Sequence, residues 1–86
     1  MTAVADIVTR MRENPKAIRF VEAQRVCEHY FGAPRQQGTS HCVYKMPWAG
    51  DPRVNIQADK GRMAKAYQVK QVVQAIDKLE EMQDGR

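Results

Sequence analysis

The spacing of apolar residues in this 86-residue chain changes from helical to strand-like near residue 38 and back near residue 66. That double change limits the fold more than any other feature. Val4, Ile7, Val8 and Met11 recur at i, i+3, i+4 and i+7, which is one face of a helix. Asn14-Pro15 ends it, because proline disfavours helical geometry in the residue before it. A second stripe, Phe20, Ala23, Val26, Cys27, Tyr30 and Phe31, predicts a helix from Phe20 to Phe31, with Gly32 as its terminator.

From Ser40 to Met46 the period is 2: Cys42, Tyr44 and Met46 point one way, and His41, Val43 and Lys45 the other. Pro47-Trp48-Ala49-Gly50-Asp51-Pro52 reads as a turn. Arg53 to Gln57 alternates again, with Val54 and Ile56 opposite Arg53, Asn55 and Gln57. A short strand near Pro34 to Gln37 would complete a meander. The last helix is expected from Ala66 to Met82, buried through Val69, Val72, Val73, Ile76 and Leu79, before a frayed Asp84-Gly85-Arg86 tail.

Each helix has one apolar stripe, so the helices must cover one face of an antiparallel sheet. The expected architecture is one α+β domain over residues 1–86, with a helical extension at 1–14 and a core at 18–82. Cys42, Tyr44, Met46, Val54 and Ile56 form the covered face. His41, Val43, Lys45, Arg53, Asn55 and Gln57 form the open one. The length suits one small domain, and 43% hydrophobic residues argue against disorder. No apolar run nears the roughly 20 residues of a membrane span, and the N-terminus lacks a signal peptide's apolar block. Cys27 and Cys42 have no paired spacing, which reads as reduced thiols in a cytoplasmic protein.

Net charge is +4, and its distribution is uneven. Between Arg35 and Lys70 there are seven bases and two acids; the rest of the chain has seven bases and eight acids. A local basic excess suits a polyanion such as nucleic acid, and equally an ordinary solvated surface. The stretch GTSHCVYK, residues 38–45, lies inside it. As a residue type, histidine exchanges protons near neutral pH. His41 projects from the open face, where Lys45 and Arg53 could hold a phosphate beside it. The Gly38-Thr39-Ser40 turn offers N–H groups and hydroxyls to an anion. The plain alternative is a solvated strand histidine. Lys65, Lys70 and the first turn at Tyr67-Gln68 could likewise touch phosphate or simply be solvated.

Other chemistry is poorly supported. His29 reads as a surface helix residue and Cys27 as core. Cys42 follows His41 directly, but strand neighbours point to opposite faces, so they make a poor nucleophile–base pair. The two histidines and two cysteines lack chelating spacing, and no carboxylates cluster on the basic face, so no metal is expected. No Gly-rich phosphate loop is present, and no cofactor is expected.

Several segments together carry a resemblance. Ile18-Arg19-Phe20 precedes the second helix. Gly38 and Ser40-His41 are followed by Asn55-Ile56-Gln57, Lys60-Gly61-Arg62 and Lys65-Ala66-Tyr67-Gln68-Val69-Lys70-Gln71. Between about Ile18 and Leu79 the chain resembles the HicA family of toxin ribonucleases, from which it differs in placing Thr39 between the glycine and the serine. The resemblance implies a small double-stranded-RNA-binding-domain-like fold, with helices on a three-stranded antiparallel sheet; the first helix lies outside the family's minimal core. It implies an mRNA-cleaving toxin held inactive by a HicB-type antitoxin, with catalytic His41 and with Gly38 and Ser40 in the substrate site. Lys45, Arg53 and Lys65 are the expected phosphate contacts. In the expected mechanism, His41 takes the proton from a ribose 2′-hydroxyl, and no divalent metal is needed. Two other classes stay open: a non-catalytic RNA-binding module that reads A-form shape, and an interaction domain that docks an acidic partner.

Overall fold

The computed structural model describes residues 3–38, 40–46, 48 and 53–84. The expected turn at 47–52, apart from Trp48, lies outside the described residues, as do Thr39 and the last two residues of the tail.

Helix α1 spans Val4–Glu13 and buries Ile7, Val8 and Met11, as its spacing requires. It stops at Asn14, and Pro15 opens a single 3-10 turn, Pro15–Ala17. Helix α2 spans Phe20–Phe31. Its N-cap is Arg19, which carries no side-chain acceptor, so Glu22 does the capping: the Glu22 carboxylate accepts from the Arg19 backbone N–H at 3.0 Å. The same carboxylate pairs with Arg10 of α1, which holds it below the usual carboxylate range. At the other end Gly32 adopts φ +86°, ψ −163°, a conformation essentially confined to glycine.

The sheet is built around two five-residue antiparallel strands, β2 (His41–Lys45) and β3 (Arg53–Gln57). A two-residue strand, β1 (Gln36–Gln37), pairs with the far side of β2, giving the order β1-β2-β3. The Gly38 N–H donates to the His41 carbonyl at 2.7 Å where β1 passes into β2. Gly38 does not have a positive φ, and a Cβ there would meet only the His41 carbonyl at 3.6 Å.

A 3-10 turn, Lys60–Arg62, leads to α3 (Ala66–Asp84). Gly61 and Arg62 both have positive φ, 67° and 62°. The left-handed arginine is an exception to the usual preference for Gly or Asn. The segment is tied back to the chain before α2: the Ala64 N–H donates to the Ile18 carbonyl at 2.8 Å.

Helices α2 and α3 pack on the sheet, and α1 packs on α2 and α3. Helix α1 is fastened to the rest by Arg10–Glu22 and by Arg12–Asp77, whose shorter contact is 2.7 Å. Cys42, Tyr44, Met46, Val54 and Ile56 share one core with Ile18, Phe20, Val69, Val72 and Ile76. The Tyr44 hydroxyl is buried in that core without a hydrogen-bond partner among the described residues. No helix among the described residues is long and apolar enough to cross a membrane.

Candidate nucleic-acid interface

The register pairs His41 with Gln57, Val43 with Asn55, and Lys45 with Arg53. All six residues lie on the sheet face away from the helices. Lys45, Arg53 and Asn55 are exposed, while His41 and Gln57 are half-buried. Val43 departs from the expectation of a displayed side chain: it is only 6% exposed yet lies outside the main core. It occupies the middle of the central strand, whose backbone is paired on both sides, with β1 and with β3.

The face has two ends. At one end stand Gly38, Ser40, His41 and Gln57. The Ala58 N–H donates to the Ser40 carbonyl at 2.9 Å, closing this end of the hairpin. The start of α3 is fastened to the same place. The Gln57 backbone N–H donates to Gln68 Oε1 at 2.8 Å, and Gln68 Nε2 donates back to Gln57 Oε1 at 3.0 Å. Gln68 Nε2 also lies 3.4 Å from the Tyr67 hydroxyl, and the Lys65 backbone N–H donates to the Gln57 carbonyl at 3.4 Å. Gln68 is 4% exposed, so its amide needs these partners. The two glutamines thereby join the strand residue opposite His41 to the start of α3, which carries Tyr67 and is preceded directly by Lys65. Tyr67 is 57% exposed, an aromatic ring left in solvent beside this junction.

At the other end stand Lys45 and Arg53. They lie four residues along the strands from His41 and Gln57, about 13 Å at strand spacing. Lys65 is the expected phosphate contact whose backbone is fixed at the histidine end. Arg62, also in the basic segment, has its guanidinium 5.7 Å from the Phe20 ring centroid. That contact turns it towards the start of α2.

Competing groups lie elsewhere. Cys42 is fully buried on the opposite face from His41, and Gln24 Nε2 donates to its sulfur at 3.3 Å. Burial pushes the Cys27 thiol well above its usual range, so it is protonated at neutral pH. His29 is exposed on α2 and stacks edge-on against Tyr30. No group of three or more His, Cys, Asp or Glu among the described residues could hold a metal ion.

Sequence reasoning noted Gln57 and Gln68 as parts of separate segments and missed their pairing. Glutamines on different elements carry no periodic signal that would have linked them. It also missed the Lys78 ammonium, which sits 4.8 Å from the Trp48 ring centroid. No protein-family model, curated protein or solved structure matches the chain.

Proposed function

We propose that the protein is a toxin endoribonuclease that cleaves RNA through His41, and that a HicB-type antitoxin silences it by covering the open face. The observation that carries this reading is the convergence at one sheet corner. Gly38, Ser40, His41, Gln57, Lys65, Tyr67 and Gln68 come from three segments of the chain, and the paired glutamines join the second segment to the third. The same segments carry the resemblance to HicA toxins, whose double-stranded-RNA-binding-domain-like fold is proposed here as well.

In this mechanism the His41 imidazole takes the proton from a ribose 2′-hydroxyl. The 2′-oxygen attacks the adjacent phosphorus, the bond to the 5′-oxygen breaks, and that oxygen leaves with a proton drawn from water. The Lys65 ammonium would balance the charge gathering on the phosphoryl oxygens. Lys45 and Arg53, further along the face, would hold the next phosphates. Gly38 and Ser40, beside His41 at the start of β2, would contact the substrate.

A second reading, a non-catalytic RNA-binding module, is favoured by the basic middle of the chain taken alone, since charge by itself supplies binding and not cleavage. One experiment separates the two. Purified protein and its His41→Ala variant are incubated with RNA in EDTA, and product ends are analysed. The expected products carry a 2′,3′-cyclic phosphate and a 5′-hydroxyl, and the variant is inactive. Binding without cleavage would favour the module, and cleavage that needs Mg²⁺ would remove the mechanism.

A further inference from the structure

We infer that the groove between the β3 edge and α3 is a nucleobase pocket for single-stranded RNA, with Trp48 as its stacking platform. The inference rests on the proposed RNA substrate and places a second contact on it. The groove has a volume of about 350 Å³, and Trp48, Arg53, Asn55, Gln71, Gln74 and Lys78 are among its lining residues.

Continuity is the first argument. Arg53 and Asn55 belong both to the open face and to this groove. A strand of RNA running along the face from His41 towards Arg53 therefore arrives at the groove mouth. The register puts that mouth about 13 Å from His41, so the base in the groove is a neighbour of the cleaved bond and not part of it.

The lining chemistry is the second. Trp48 is half-buried, with the Lys78 ammonium 4.8 Å from its ring centroid. An indole that already attracts a cation offers a π-face to a base, and Lys78 can turn to the phosphate that arrives with it. Asn55, Gln71 and Gln74 each carry a donor and an acceptor, the groups that match base edges. Among the described residues no carboxylate lines the groove to repel a polyanion.

The backbone edge is the third. Gln57 directs its N–H to Gln68, and its carbonyl accepts from Lys65, so its polar backbone groups face outward from the hairpin. Asn55, two residues earlier, turns its N–H and carbonyl to the same edge. The edge is too short for an added strand, because the start of α3 covers it from Gln57 onward. A single planar base fits a donor and an acceptor side by side; a partner's strand does not.

Trp48 is the one tryptophan in the chain, so its fluorescence reports on the groove directly. The test titrates the His41→Ala protein, chosen to keep the RNA intact, with short single-stranded homopolymeric oligoribonucleotides and with abasic ribose-phosphate chains of the same length. Base-bearing RNA is expected to quench Trp48 saturably, and abasic chains to bind more weakly without quenching. Asn55→Ala and Trp48→Ala, each combined with His41→Ala, should weaken base-bearing RNA about tenfold and leave abasic chains unaffected. Asn55 is exposed, so its variant carries the test even if Trp48→Ala does not fold. Equal affinity for both chains with unchanged fluorescence would overturn the pocket while leaving RNA binding intact. Absence of binding to any RNA would overturn the proposed function as well. Quenching by polyglutamate instead of RNA would mark a protein-docking groove and overturn the assignment.

Discussion

His41 and Cys42 are neighbours in the chain, yet they belong to regions with different duties. Cys42 shares its face with Tyr44, Met46, Val54 and Ile56, all between 0 and 4% exposed and all in one core with α2 and α3. His41 shares the other face with Lys45, Arg53, Asn55 and Gln57, which reach water wholly or in part. A two-residue period in ten strand residues thus separates the groups that hold the domain together from those that face water. The division leaks in two places. Val43 is buried on the open side, and the Tyr44 hydroxyl is stranded on the covered side.

The comparison predicts that neighbouring substitutions on one strand differ sharply. Ile56→Ala removes a fully buried side chain from the core and is expected to destabilise by about 2–5 kcal/mol. Asn55→Ala, one residue earlier on the exposed face, should shift stability by no more than about 0.5 kcal/mol. Chemical denaturation of both variants checks this, and similar losses would break the division.

A smaller effect is expected where the two regions meet. Gln68→Ala strips the Gln57 backbone N–H and side-chain amide of their partners and should destabilise by about 1–3 kcal/mol. Because the glutamine pair positions the strand opposite His41, RNA cleavage by the folded variant should fall too. A variant that loses stability but keeps full cleavage would confine Gln68 to a structural role.

The smallest effect has the opposite sign. Burial with Cys27 and Cys42 beside it pushes the Tyr44 phenol far above its usual range, so the group is a neutral hydroxyl with no hydrogen-bond partner among the described residues. Tyr44→Phe removes a desolvated polar atom and keeps the ring, so it should stabilise by about 1 kcal/mol. A loss of stability would mean that the hydroxyl has a partner after all.

Much of this division was legible in the sequence because it is local. The stripes of α1 and α2 placed both helices with their ends. The alternation in β2 and β3 named every residue of the covered face. What escaped depended on pairs distant in sequence. Nothing in the spacing tells that Gln57 meets Gln68, that Lys78 covers Trp48, or that α1 is clamped by Arg10–Glu22 and Arg12–Asp77. The separation of Lys45 and Arg53 from His41 was present in the strand lengths. The left-handed Arg62 had no local signal at all, since its residue type argues against that conformation.

The most direct test of the division uses its two adjacent residues. Cleavage rate on one RNA and thermal midpoint are measured side by side for wild type, His41→Ala and Cys42→Ala. His41→Ala is expected to lose about 10²–10⁴ in rate with a nearly unchanged midpoint, because in the proposed mechanism the histidine transfers the proton. Cys42→Ala should lower the midpoint, since it opens a gap in the core and removes the Gln24 contact, while the folded protein cleaves at close to the wild-type rate. If His41→Ala cleaves as fast as wild type, or if the two variants trade these phenotypes, the open face is not where the chemistry is done.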